Sequence, residues 1–128
     1  MLNDATVQPM LPVKDIEAAG KFYEKTLGLR KVGGAPDTAL VYQSGGSTLC
    51  VYRSEFAGTN QGTAALWEVE DVEGTVEELR AKGVTFEHYD DLQGLTRKGD
   101  IHRAGDFSVA WFKDPAGNIL SIQNRTAG

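Results

Sequence analysis

The stretch "QPMLPVKDIEAAGKFYEKTLGL" (Gln8 to Leu29) has a counterpart further along the chain, "AALWEVEDVEGTVEELRAKGV" (Ala64 to Val84). Asp15 falls on Asp71, Ile16 on Val72 and Glu17 on Glu73, and a one-residue deletion then brings Gly28 onto Gly83. Working outward, "VYQSGGSTLCV" (Val41 to Val51) lies on "WFKDPAGNILSI" (Trp111 to Ile122), with the length difference in the turn. Identity between the copies is low, but the pattern is shared. The chain therefore reads as one plan used twice.

Each copy opens on a short strand, Val7 to Val13 and Thr63 to Val69. An aspartate follows, Asp15 or Asp71, of the type that accepts hydrogen bonds from the free amides of a helix start. The first helix then carries an apolar stripe of Ile16, Ala19, Tyr23 and Leu27, and the second one of Val72, Val76 and Leu79. Both have the 3.6-residue period of a helix lying on a sheet. Gly28 and Gly83 stand where a left-handed residue ends a helix at little steric cost. Three extended segments come next in each copy, at 30–32, 38–42 and 47–52, then at 85–89, 107–112 and 119–123. The last two of each set are joined by "QSGG" or "KDPAGN" turns.

One segment breaks the correspondence. Between Tyr89 and Phe107 the second copy carries "DDLQGLTRKGDIHRAGD", much longer than its counterpart between Val32 and Thr38. A polar, glycine-containing insertion of this length reads either as a disordered connection or as a lid over a site.

Composition narrows the classes of function. The 128 residues fit a single domain, with 41% apolar and 24% charged residues, as in ordinary globular proteins. A formal charge of −5 argues against a nucleic-acid partner, which would call for clustered Lys and Arg. Cys50 is the sole cysteine, so an intrachain disulfide is excluded and a reducing compartment is the simpler assumption. The opening "MLNDATVQPM" lacks a basic segment followed by an apolar run, and no stretch has the length of a bilayer span. The expectation is a cytoplasmic protein without a membrane partner.

The two motifs "LPVKDIEAAGKFYEKTLGL" and "FKDPAGNIL" resemble those of the vicinal oxygen chelate superfamily, over nearly the whole chain. That group holds glyoxalase I, extradiol dioxygenases, fosfomycin resistance enzymes and bleomycin resistance proteins. The resemblance implies an α+β fold: one domain over 1–128, with β-α-β-β-β modules at about 5–55 and 62–124 curling into a mixed-sheet cup. It does not imply one function, because the fold hosts isomerases, dioxygenases, epimerases and binding proteins.

In metal-using members of the family, up to four inward side chains hold one divalent ion. Carried over by position, they are Gln8 and Ala64 on the first strands, and Cys50 and Ser121 on the last strands. Such an ion needs imidazole or carboxylate groups to replace its hydration. Alanine offers nothing, a serine hydroxyl or glutamine carbonyl little, and cysteine serves only as thiolate. His88 and His102 belong to or border the insertion, and no His-x-His or His-x₃-His spacing exists; they read as solvated loop side chains. These four positions are degenerate, and no metal or other cofactor is expected. The style is nearest the bleomycin-resistance class, which lacks the metal and binds its drug in dimer crevices. A homodimer is implied by that likeness alone.

Strand alternation turns the same positions into a pocket forecast. With Gln8, Cys50, Ala64 and Ser121 facing the cup, so do Met10, Tyr52, Leu66, Glu68, Phe107, Trp111 and Gln123. Apolar and aromatic surface with a few polar groups is the usual lining of a small-molecule site. Trp111 reads first as ordinary sheet core, and otherwise as a surface that could stack on a planar or cationic ligand. Glu68 reads as a general base, as a partner for a cationic ligand, or as a plain rim carboxylate. Two functions follow. One is a metal-free protein that sequesters an aromatic or cationic small molecule, an antibiotic being one case. The other is an enzyme of the superfamily, a lyase, isomerase or dioxygenase-like catalyst, with a degenerate or absent metal site.

Overall fold

A computed structural model describes residues 2–92 and 94–124. In the first half, β1 (Met10–Val13) leads into α1 (Ile16–Lys21), which runs on through a wider π-helical turn at Phe22–Thr26. Three antiparallel strands follow: β2 (Arg30–Ala35), β3 (Ala39–Ser44) and β4 (Ser47–Arg53). The second half repeats the order with β5 (Thr63–Glu68), α2 (Val72–Ala81), β6 (Phe86–Glu87), β7 (Thr96–Lys98), β8 (Ile101–Ala104), β9 (Phe107–Lys113) and β10 (Ile119–Gln123). The first sheet has the order β1-β4-β3-β2 and the second β5-β10-β9-β8-β7, with β6 also on β9. Only β1 with β4 and β5 with β10 run parallel among the described pairs, so both sheets are mixed and the fold is α+β.

The capping aspartates act as their sequence positions predict. Asp15 Oδ1 accepts from the Ala18 amide at 3.1 Å, and Asp71 Oδ1 accepts from the Gly74 amide at 3.0 Å. Each satisfies an orphan donor of the first turn. Ala19 and Tyr23 of the first helix, with Val72, Val76 and Leu79 of the second, enter one continuous core with Leu11, Val13, Tyr42, Val51, Phe112 and Leu120.

Polar ties also join the halves. The Tyr23 hydroxyl donates to Asp114 Oδ2 at 2.7 Å, Asn118 Nδ2 donates to the Pro12 carbonyl at 2.7 Å, and Trp67 Nε1 donates to Ser44 Oγ at 2.9 Å. In the connection between the halves, Gly58 has φ +79°, and a Cβ there would lie 2.3 Å from the Ala116 carbonyl oxygen. No other residue fits that approach without displacement.

The structure departs from the sequence reading in two places. β1 is shorter than expected, starting at Met10 and leaving Val7 86% exposed. Pro9 accepts from the Cys50 amide but has no N–H to return, so pairing starts only beyond it. Part of the insertion is sheet rather than loop. Gly99, at φ +63°, turns β7 back on β8, and β8 pairs with β9 through His102↔Val109, Arg103↔Ser108 and Ala104↔Phe107. β6 takes the other end of the same edge through Phe86↔Phe112 and Glu87↔Trp111. Two short strands thus share the edge that β2 alone covers on β3. Among the described residues, no helix is long and apolar enough to cross a membrane.

Candidate functional site

Register defines the sheet face turned away from the helices. On the first sheet, Met10 lies opposite Cys50, Cys50 opposite Val41 and Val41 opposite Gly33; Pro12, Tyr52 and Ala39 form the next row. On the second, Leu66, Ser121, Trp111 and Glu87 form one row, and Glu68, Gln123, Val109, His102 and Arg97 the next. Side chains in register on neighbouring strands share a face, which groups Met10 with Cys50 and groups Leu66 with Ser121 and Trp111; the register shift between Ile119 and Leu120 leaves Ala64 out of it. The first half of this face is smooth, with Gly33, Ala39 and Val41. The second is aromatic.

The forecast residues fall into two groups, one per sheet. Gln8 precedes β1, is exposed, and donates through Nε2 to Thr48 Oγ1 at 3.0 Å. Met10 is 51% exposed, Cys50 is buried and Tyr52 half-buried. On the second sheet Ala64 is half-buried, Leu66 is 46% exposed and Glu68 is exposed, whereas Ser121 and Gln123 are buried. Phe107 and Trp111 are half-buried, and the Trp111 indole N–H donates to Thr63 Oγ1 at 3.1 Å. Between the groups, a groove of about 400 Å³ runs past Pro9, Ser44, Thr48, Leu66, Trp67 and Glu68. Its size suits a small ligand.

The donor set does not fit the divalent ion that the resemblance would place here. Burial pushes the Cys50 thiol above its ordinary pKa, which holds it protonated and a poor ligand. Gln8 offers only a neutral amide oxygen, Ala64 has no donor atom, and Ser121 is a neutral hydroxyl 2% exposed. Among the described residues no three His, Cys, Asp or Glu side chains converge in a way that could hold a metal. None of the four positions supplies the charge or imidazole such an ion requires.

Sequence reasoning missed the group behind Trp111. His102, read as a solvated loop side chain, is fully buried on β8. Its ring lies 4.9 Å from that of Trp111 at 77°, and Tyr89 lies 5.2 Å from Trp111, also at 77°. These edge-to-face contacts fix the indole plane. Glu87, opposite Trp111, pairs with Lys113 at 3.4 Å. The Tyr89 phenol is pushed above its ordinary pKa by burial and by Glu87, against the pull of Lys113. "RKGDIHRA" has a glycine turn between two short polar runs, which pairs His102 with Arg97 across a hairpin and does not mark the β9 edge.

Residues 5–122 match the family model of the Glyoxalase/Bleomycin resistance protein/Dioxygenase superfamily, and the chain belongs to that superfamily. No curated protein matches it in sequence. Its fold is similar to that of a lactoylglutathione lyase from Agrobacterium tumefaciens, at TM-score 0.71 and 19% identity, covering 94% of this chain and 92% of that one. It is also similar to TnmS3, an antibiotic binding protein from Streptomyces sp. CB03234, at TM-score 0.66 and 22% identity, with 95% and 96% covered. The fosfomycin resistance protein FosX from Listeria monocytogenes aligns at TM-score 0.67 and 16% identity, over 96% and 92%.

Proposed function

We propose that this chain binds a planar aromatic or cationic small molecule, an antibiotic being one case, and acts by sequestration without a metal. The single observation carrying this reading is the pairing of a donor-poor set (Gln8, Cys50, Ala64, Ser121) with an ordered aromatic wall at Trp111. A ligand held there gains flat apolar contact from Trp111 and Phe107, with Gln123 and Glu68 as polar groups in the next row of the same sheet. The likeness to TnmS3 agrees with a binding role.

The working unit in this reading is a homodimer. Met10 and Leu66 stand exposed on the ligand-facing sides of the two sheets, and a second copy seated there would cover them. One cysteine, buried and unpaired with any other, suits the reducing cytoplasm. An enzyme of the superfamily is the rival, with Glu68 as base.

Calorimetry in chelator-containing buffer decides between them, using bleomycin and the planar cation ethidium as probes. Saturable binding of either, lost on Trp111→Ala, supports sequestration. Turnover of S-lactoylglutathione or fosfomycin after addition of manganese, nickel or zinc would replace this reading with the enzymatic one.

A further inference from the structure

We propose that His102 is the positioning residue of the aromatic wall and makes that wall conditional on pH, because only the neutral imidazole can accept the Tyr89 amide and so keep Tyr89 against Trp111. The ligand-binding half of this inference rests on the sequestration reading; the latch itself does not.

The geometry begins with a gap. β6 ends at Glu87, and β8 takes over the β9 edge only from His102 onward. Tyr89 lies in the space between, and its backbone N–H donates to His102 Nε2 at 3.0 Å. A nitrogen that accepts an amide proton must present a lone pair, so the proton of the neutral ring is on Nδ1. That Nδ1 is buried and has no hydrogen-bond partner. One ring therefore does the work of missing strand pairing. It also packs against both aromatic neighbours, 6.1 Å from Tyr89 and 4.9 Å from Trp111.

Protonation removes the lone pair. Nε2–H would then point at the Tyr89 N–H, donor against donor, and a cation would sit in a fully buried position. The surrounding charges add to this. Arg97, opposite His102 on β7, and His88, just past β6, disfavour the cation, whereas Asp90 and the Val109 backbone favour it. Asp90 is engaged with Arg97, Asp100 with Arg80 and His88, and Glu87 with Lys113. Burial first, then Arg97 and His88, hold the His102 pKa below its ordinary 6.5. The latch is closed above that value and opens as pH falls through the lower, folded-state pKa.

The test is NMR on the full chain without ligand, from about pH 8 to about pH 4.5, a range spanning ordinary histidine titration. The expected result is an Nδ1–H tautomer at neutral pH and a protected Tyr89 amide. That protection should drop at least about tenfold, relative to β9 and β10 amides, in step with a His102 titration below 6.5. An Nε2–H tautomer, or Tyr89 protection unchanged through the His102 titration, overturns the latch.

His102→Gln keeps an acceptor but cannot titrate, so Tyr89 should stay protected at both ends of the range. The same acid step in that variant would assign it to His88 or Asp90 and overturn the proposal. If the variant fails to fold, the wild-type titration decides alone. Ethidium affinity should then fall several-fold across the wild-type step and stay flat in the glutamine variant. Binding that ignores an observed step overturns the role of His102 in positioning the wall. Absence of ethidium binding at every pH counts against the sequestration reading, with the latch judged by NMR.

Discussion

Tyr23 and Asp114 meet at 2.7 Å across 91 residues of chain, and their hydrogen bond joins the first helix to the last turn. The same carboxylate accepts from the backbone amides of Ala116 and Asn118, both at 2.9 Å, and from Asn118 Nδ2 at 2.9 Å. Burial, with Asp114 adding to it, raises the Tyr23 pKa far above its ordinary value, so the phenol stays a donor. Tyr23→Phe should cost about 1–3 kcal/mol, and Asp114→Ala more, since it strands four donors. Urea denaturation checks the order; a neutral Tyr23→Phe would show that the bond does not bind the halves.

The connection between the halves supplies a second test. A methyl group on Gly58 would meet the Ala116 carbonyl at 2.3 Å while the backbone sits at φ +79°. Gly58→Ala should therefore destabilise by about 1 kcal/mol or more, whereas Gly46→Ala, with nothing within 4 Å, should do far less. Thermal melts of the two variants make the comparison.

The donor-poor set predicts what restoring one ligand would do. Ser121→Glu places a carboxylate at a buried position between Leu66 and Trp111, and should lower stability by several kcal/mol. Zinc, nickel or manganese should not restore it, because Gln8, Cys50 and Ala64 give the ion nothing to complete its shell. A metal-dependent rise in wild-type Tm would contradict the donor argument.

Acid should weaken the fold in two stages. His102, with its folded pKa depressed, contributes stability that is complete above its unfolded value of 6.5 and is lost as pH falls through the folded value. Asp100 is depressed chiefly by its hydrogen bond from His88 and then by Arg80, so its contribution is complete above 3.8 and disappears lower still. Chemical denaturation at a series of pH values should show the upper stage vanish in His102→Gln and the lower one in Asp100→Asn.

Trp111→Ala should weaken a bound aromatic ligand by about 1–3 kcal/mol, the scale of an aromatic anchor. Trp67→Phe, on the helix side of β5, should leave affinity near wild type while removing the Ser44 hydrogen bond. Equal losses in both variants would mean that the ligand occupies the seam groove rather than the wall.

Much of this was legible because alternation is a local property. Asp15 and Asp71 announced their helices, and alternation put Met10 in register with Cys50 and put Leu66 and Trp111 in register with Ser121. The edge of β9 was not legible. Its pairing depends on which of two short strands reaches it, and "TRKGDIHRA" is too polar for an edge strand to stand out from a loop. Hence His102 was misplaced, and with it the group that orders Trp111. Likewise the shortened β1 followed from a missing amide at Pro9, which no hydrophobic pattern records.

The continuous core, crossed by a single exposed connection near Thr59 and Asn60, has a consequence for how the molecule can be cut. Neither half has a complete interior without the other: Tyr23 needs Asp114, Asn118 needs the Pro12 carbonyl, and Phe22 packs on Phe112. Severed between those two residues, the pieces should stay unfolded apart and regain structure on mixing. That would make the chain a natural two-part reporter whose reassembly reads out the proximity of whatever its fragments are fused to.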